Sequence, residues 1–390
     1  MQWKNKGHEI DKYAERICAL FETQRQIILF GAGKTGTQFY KTLLRYGIFA
    51  GFADNDIDKQ NNGFEGQTVY SPNVLKDMEA MIVVSVGKEY SNEVKHQLEN
   101  MGMTEGINFI TAEEFEKKWF PVLSLYYFGR LYTNLAQICV TERCTLRCKK
   151  CAHACHLVDI HSKDISIEHA KHSADSFFRA FDFIGEFVLI GGEPFLYKEL
   201  GTLIEYIGEK YRDKIELFSI TTNGTIVPAD DLLAICKKHG VTVRITDYKK
   251  SIPRLEKNYK RLYETLKIHG INSIVWETDH ETSWFDYGFD ENLTKNATDT
   301  QRTFDECKTP CREVSGGKYY YCVMAHTVAN NMKLKIGETD YFDLDSDFEK
   351  QELLEFELGY SEKGYLDMCS RCRGKEAENY RIPAAEQVRI

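Results

Sequence analysis

Three thiols set close together, Cys144-Thr145-Leu146-Arg147-Cys148-Lys149-Lys150-Cys151, carry the most pointed chemistry in this chain. Their C-x3-C-x2-C spacing follows an apolar, strand-like run from Leu135 to Val140 and lies among Arg and Lys residues. The start, Met1-Gln2-Trp3-Lys4-Asn5-Lys6, lacks the apolar core of a secretory leader. Without one, thiols this close point to metal rather than to a disulfide framework. Three thiolates hold three irons of a cubane [4Fe–4S] cluster and leave the fourth iron open, much as a catalytic zinc site keeps an open position. Arg143, Arg147, Lys149 and Lys150 favour the thiolate forms. A structural zinc site with Cys155 or His153 as fourth ligand is the alternative on spacing alone.

A second set of thiols lies further on: Cys307, Cys311, Cys322, and the pair Cys369-Ser370-Arg371-Cys372. Gly316-Gly317 separates Glu313-Val314 from the run Tyr319-Tyr320-Tyr321, which predicts a hairpin turn with Cys322 at a strand end. Five thiols supply four closed ligands with one left over; zinc is again the alternative.

The elements that must position these groups read as alternating strand and helix. Strands are expected at 136–142, 186–191, 215–222, 241–246 and 271–277, with amphipathic helices near 167–181, 197–211, 229–239 and 252–269. Repeated β-α units predict a parallel barrel or part of one, with chemistry at the carboxyl ends of the strands. The unusual residues fall there. The first strand leads into the three cysteines. The second ends in Gly191-Gly192-Glu193-Pro194, with glycines for close backbone approach and a carboxylate for an ammonium group. Thr221-Thr222-Asn223-Gly224-Thr225 closes the third, and Arg244-Ile245-Thr246-Asp247-Tyr248 the fourth, offering a guanidinium for a carboxylate.

Ahead of these, the strand Ile27–Phe30 runs into Gly31-Ala32-Gly33-Lys34-Thr35-Gly36, a G-x-G-x-x-G motif before an expected helix at 37–46. A strand at 48–53 ends at Asp54, an acid placed to hold a ribose diol. With a strand at 80–86, helices at 8–24 and 91–101, this is a β-α-β-α-β-α unit. Position 28 is Ile where a phosphate loop requires Gly, so Gly33-Lys34-Thr35 is not one. Gly31, Gly33, Gly36 and Asp54 are candidates for a nucleotide or nucleotide-sugar site; the alternative is a scaffold whose glycines only permit strand–helix packing.

The middle of the chain, about residues 135 to 280, resembles the radical S-adenosylmethionine (SAM) superfamily. The resemblance rests on CTLRCKKC, GGEP, TTNGT and VRITDY, in family order and at strand ends. It implies that Cys144, Cys148 and Cys151 ligate a [4Fe–4S] cluster whose open iron chelates SAM, and that Gly191, Gly192 and Glu193 receive the SAM ammonium. Thr221 and Asn223 would lie near ribose or carboxylate, and Arg244 near the carboxylate. The tail resembles a twitch or SPASM-type auxiliary-cluster extension, with Cys307, Gly317, Cys322, Cys369 and Cys372 meeting its pattern and Cys311 able to exchange with Cys307. A second, auxiliary [4Fe–4S] cluster is implied. The first domain is similar to Rossmann-like modules fused to bacterial enzymes of surface-polysaccharide assembly. In such chemistry a thiol near the substrate radical returns a hydrogen atom; Cys139 and Cys236 fall within strand and helix patterns, leaving Cys155 as the catalytic candidate.

The expected fold class is therefore α/β in three domains: a Rossmann-like parallel sheet at 1–115, a partial (β/α)6 radical SAM barrel at 116–300 with an aromatic, packed linker at 116–134, and a small α+β extension at 301–390. A net charge of −9 argues against a dedicated nucleic-acid partner. No apolar run is long enough for a membrane span, and the expected location is cytoplasmic. The expected function is oxidation or epimerisation of a sugar, aminosugar or small polyol, with a flavodoxin- or ferredoxin-type electron donor. The alternatives are a maturase of a ribosomal peptide and a non-catalytic iron–sulfur sensor or scaffold.

Overall fold

Ile27-Ile28-Leu29-Phe30 is buried at every position, the pattern of a strand covered on both faces. In the computed structural model, which describes residues 8–278, 284–290, 292–360, 363–375 and 381–388, this run is the middle strand, β1, of a five-stranded parallel sheet. Its neighbours are β2 (Phe49–Ala53), β3 (Val69–Tyr70), β4 (Met81–Val84) and β5 (Phe109–Thr111), in the order β3-β2-β1-β4-β5. The two- and three-residue strands β3 and β5 escape a sequence reading because they are too short to show periodicity. The strand order reverses between β1 and β4, which makes a topological switch point there.

The chain divides into two compact units, the first running from Gly7 to Leu131. Residues 116–131, expected as a linker, belong to it. The chain is helical from Ala112 to Tyr126, with a π-helical turn at Phe115–Trp119. Phe115, Trp119, Phe120 and Leu123 are buried, and Phe120 packs on Tyr46 at 5.0 Å between centroids. Aromatic burial ties the segment to this unit.

The second unit, from Tyr132 on, is built on β6 (Tyr132–Thr141), β7 (Phe183–Gly191), β8 (Ile215–Thr222), β9 (Thr242–Asp247) and β10 (Ser273–Glu277), each parallel to the next. Helices Ile167–Ala180, Leu200–Lys210, Asp230–Lys238 and Glu256–Ile268 connect them, close to the expected spans. Strand alternation sorts the side chains. Phe187 packs beneath Phe177 and Phe178 of the first helix. Glu186, on the opposite face, accepts from Ser219 Oγ at 2.6 Å and Arg244 Nη1 at 2.6 Å. Helices cover the apolar face, so the other face carries the polar groups.

After β11 (Trp284–Phe285) the tail continues the same sheet instead of standing apart. Strand β12 (Arg312–Ser315) lies parallel to β6, pairing Glu313 with Gln137. It is followed by antiparallel β13 (Lys318–Tyr320) and β14 (Tyr341–Asp343), giving the order β10-β9-β8-β7-β6-β12-β13-β14. β15 (Arg381–Ile382) pairs only with β11. Gly316 and Gly317, at φ 55° and 77°, form the expected two-residue turn. The sixth parallel strand beside the barrel is thus contributed by residues of the tail.

Arg312 anchors that junction. It donates to Glu357 and to the Tyr321 carbonyl, while Thr133 of β6 and Tyr319 also donate to Glu357. Among the described residues no helix is long and apolar enough to cross a membrane.

Candidate metal centre and active site

Strand β6 ends at Thr141, and the loop beyond it carries Cys144, Cys148 and Cys151. The end of β7 clamps that loop. Gly192 N–H donates to Thr141 O at 2.8 Å and Glu193 N–H to Arg143 O at 2.9 Å. A Cβ on Gly191 would sit 2.1 Å from Thr141 O, and one on Gly192 2.3 Å from Arg143 O. Only glycine lets the two backbones approach this closely. Arg143 then spans outward to Asp164, an ion pair with both side chains largely buried, and to the carbonyl of Leu196 at 2.7 Å.

Glu193 does not face open space. It is fully buried, and its carboxylate accepts from Thr222 Oγ1, Asn223 N and Phe195 N at 2.9 to 3.2 Å. Burial nevertheless raises it to about 7. The carboxylate thus ties β8 to β7. Asn223, set by that contact, donates from Nδ2 to Cys144 Sγ at 3.4 Å. Thr222 makes the carboxylate contact, while Thr221 lies one residue back and in register with Arg244.

Arg244 already has a partner. Its guanidinium pairs with Glu186 in the middle of the sheet face, so it stands below the strand ends and its charge is already met. It remains 38% exposed.

The three thiols lie close enough to disfavour each other's ionisation. Burial pushes both Cys144 and Cys148 up to about 12, whereas a hydrogen bond from Cys155 lowers Cys151 to about 5. Cys155 is 4% exposed; its thiol donates to His153 O at 3.8 Å and lies against Cys151. The inward-facing thiol that reaches a cavity is Cys139, which shares a space of about 480 Å³ with Glu142, Asp164, His169, Ser315 and His326.

These residues fit an iron–sulfur group. The thiols are buried or half-buried and near one another, and N–H donors meet them: Leu146 N and Asn223 Nδ2 at Cys144, and Gln387 Nε2 at Cys148. Gln387 was not legible in sequence. It comes from 239 residues away, and no spacing rule links it to the loop.

In the tail, Cys307, Cys322, Cys369 and Cys372 line one small enclosed space of about 30 Å³ with Phe304, Tyr321 and Met368. Backbone N–H groups of Gly374 and Lys375 donate to Cys372 and Cys307, each at 3.2 Å. Burial raises Cys322 and Cys369 well above an ordinary thiol. Cys311 is outside this lining; its charged neighbours are Lys375, Arg312, Glu313 and Arg244. Among the described residues no three Cys, His, Asp or Glu side chains converge closely enough to hold a single metal ion. A polynuclear cluster, taking one thiolate per iron, asks for a wider spread.

In the first unit, Gly31, Gly33 and Asp54 line an opening of about 590 Å³ at the switch point. Gly31 has φ +122°, and a Cβ there would lie 2.7 Å from Ser85 O; one on Gly36 would lie 2.4 Å from Gly31 O. These two glycines serve packing. A Cβ on Gly33 would meet nothing within 4 Å. Asp54 accepts from Ala32 N and pairs with Lys59, so its carboxylate organises the glycine loop itself.

Residues 138–281 match the radical SAM superfamily, and residues 23–107 match the family described as C2185-like, N-terminal. Residues 138–281 therefore form a radical SAM domain. It is similar to the GTP 3′,8-cyclases of Ectopseudomonas mendocina (strain ymp) and Erythrobacter litoralis (strain HTCC2594), 34% and 33% identical over 98 residues, a quarter of this chain. The chain spans under a third of the length of these relatives, 28% and 29%. Among solved structures it is similar to anSMEcpe with bound AdoMet, at 14% identity and TM-score 0.39, covering 64% of this chain and 93% of that one. BtrN in complex with AdoMet and 2-DOIA is similar at 15% identity and TM-score 0.38, covering 65% and 96%.

Proposed function

We propose that this chain is a radical SAM enzyme acting on a carbon of a sugar, aminosugar or related small polyol, free or nucleotide-linked, with oxidation or epimerisation as the outcome. The observation that supports this substrate class is the inner face of the second sheet. Glu186, Ser219 and Arg244 form one hydrogen-bonded row across β7, β8 and β9, and Gln137 of β6 donates to Glu313 of β12 at 2.9 Å. A face lined by donors and acceptors at several depths suits a molecule rich in hydroxyls.

When bound by Cys144, Cys148 and Cys151, a [4Fe–4S] cluster with SAM supplies a 5′-deoxyadenosyl radical able to take a hydrogen atom from carbon. The chain's own residues do the rest. Gly191 and Gly192 hold the cluster loop against β7, Glu193 and Asn223 fix its far side, and the polar row orients the substrate beneath it. Cys307, Cys322, Cys369 and Cys372 would hold the auxiliary cluster, and a flavodoxin- or ferredoxin-type protein would supply the electron.

The test is anaerobic reconstitution with iron and sulfide analysis, then SAM cleavage with candidate substrates deuterated at single carbons. Deuterium in 5′-deoxyadenosine from a sugar or polyol supports the reading. Transfer only from peptide substrates would move the protein to the maturases. Cleavage that no substrate accelerates would leave a sensor or scaffold. Replacing Arg244 by Leu should raise KM for the true substrate while leaving iron content unchanged.

A further inference from the structure

Residues 384–388 lie against the cluster loop as a turn followed by a single β-bridge. Cys148 and Gln387 form an antiparallel bridge. Lys149 N–H donates to Glu386 O at 2.6 Å, and Val388 N–H to Arg147 O at 2.7 Å. The Lys149 ammonium pairs with Glu386. Gln387 sits at the centre, its side chain fully engaged. Its Oε1 accepts from Arg147 N at 2.9 Å, and its Nε2 donates to Ala385 O at 2.7 Å and to Cys148 Sγ at 3.2 Å. The segment is seated, not draped: Ala384 and Ala385 are 0% and 1% exposed. Ala385 also holds φ +56°, a conformation that a residue with a Cβ keeps only where its surroundings impose it.

We infer that Gln387 is a positioning residue for the cluster on Cys144, Cys148 and Cys151, and that its N–H···S bond to Cys148 raises the cluster's midpoint potential. Hydrogen bonds to cluster sulfurs are one of the levers that set potential. A donor's partial positive charge stabilises the reduced, more negative state over the oxidised one, so the cluster accepts its electron more readily. Asn223 does the same for Cys144 from β8, which leaves the two flanks of the loop held by amides from opposite ends of this unit. The inference rests on the reading of this loop as the cluster site.

The experiment uses the reconstituted full-length chain. Iron content and midpoint potential are measured for the cluster whose EPR signal shifts on adding SAM. The wild type is compared with Gln387→Glu, which keeps the acceptor and removes the donor, Gln387→Leu, which removes both, and Glu209→Ala, at an exposed helix position, as control. The expected result is a shift to more negative potential in both Gln387 variants, larger for Gln387→Glu, with the control at the wild-type value. Wild-type potential in both Gln387 variants at full iron overturns the inference. A wild type with no iron on this loop would instead overturn the site reading beneath it. Should a Gln387 variant fail to load, hydrogen exchange at Arg147 and Lys149 in the cluster-free chain decides. Faster exchange than in Glu209→Ala upholds the positioning role, and equal exchange sinks it.

Discussion

Both carboxylate oxygens of Glu193 lie 2.9 Å from the Thr222 hydroxyl, so one fully buried acid ties the end of β7 to the end of β8. The three donors around it favour the anion, but burial outweighs them and holds the group at about 7.

That shift has a sign. The folded state prefers the protonated acid, so the contribution of Glu193 is fully present below the ordinary value of 4.5 and is lost as pH rises through about 7. Over that window the chain should lose about 3 kcal/mol of stability from this group. Thermal melting at intervals from pH 4 to 8 checks it. Glu193→Gln should flatten the profile, and an unchanged slope in the variant would contradict the assignment.

Gly191→Ala and Gly192→Ala should each expel the cluster while sparing the fold. A Cβ on Gly191 would press on Thr141 O at the end of β6 at 2.1 Å, one on Gly192 on Arg143 O in the loop at 2.3 Å, and the loop that follows Thr141 yields before the buried strands do. The expected outcome is loss of about four irons per chain with near-wild-type circular dichroism.

The tail thiols separate in the same assay. Cys307→Ser should lower iron content, because Cys307 faces Cys322, Cys369 and Cys372. Cys311→Ser should not. Equal losses from the two would mean that Cys311 exchanges into the site.

Breaking the buried pair at the barrel–tail junction should be costly. Glu357 receives Arg312, Thr133 and Tyr319, so Glu357→Ala leaves a buried guanidinium and two hydroxyls without their acceptor. A loss of roughly 3–5 kcal/mol is expected, read by urea denaturation. Replacing an exposed pair such as Lys117–Glu113 should cost under about 1 kcal/mol.

In the first unit, Gly31→Ala should lower the melting temperature, since it combines a left-handed φ with a 2.7 Å contact to Ser85 O. Gly33→Ala should be neutral for stability. If nucleotide-sugars bind the opening that Gly33 lines, the same substitution should weaken them in calorimetric titration of the full chain; unaltered binding would place them elsewhere.

The sequence alone determined what depends on local spacing. The three-cysteine loop, the glycine pair after β7, the hairpin at Gly316-Gly317 and the order of strands and helices all rest on periods of two to four residues or on conformations few residues adopt. It named residues near the loop without their partners: Glu193 turns inward to Thr222, Arg244 pairs with Glu186, and Cys155 lies against Cys151. Which partner a buried charge finds is settled by strand register across the sheet, which no local pattern encodes. Only the tertiary structure decided that β12 extends the barrel sheet beside β6, that Cys307 and not Cys311 joins the other tail thiols, and that Gln387 reaches Cys148. Those contacts join residues far apart in the chain, and their energies come from burial and from satisfying polar groups that only the assembled fold removes from water.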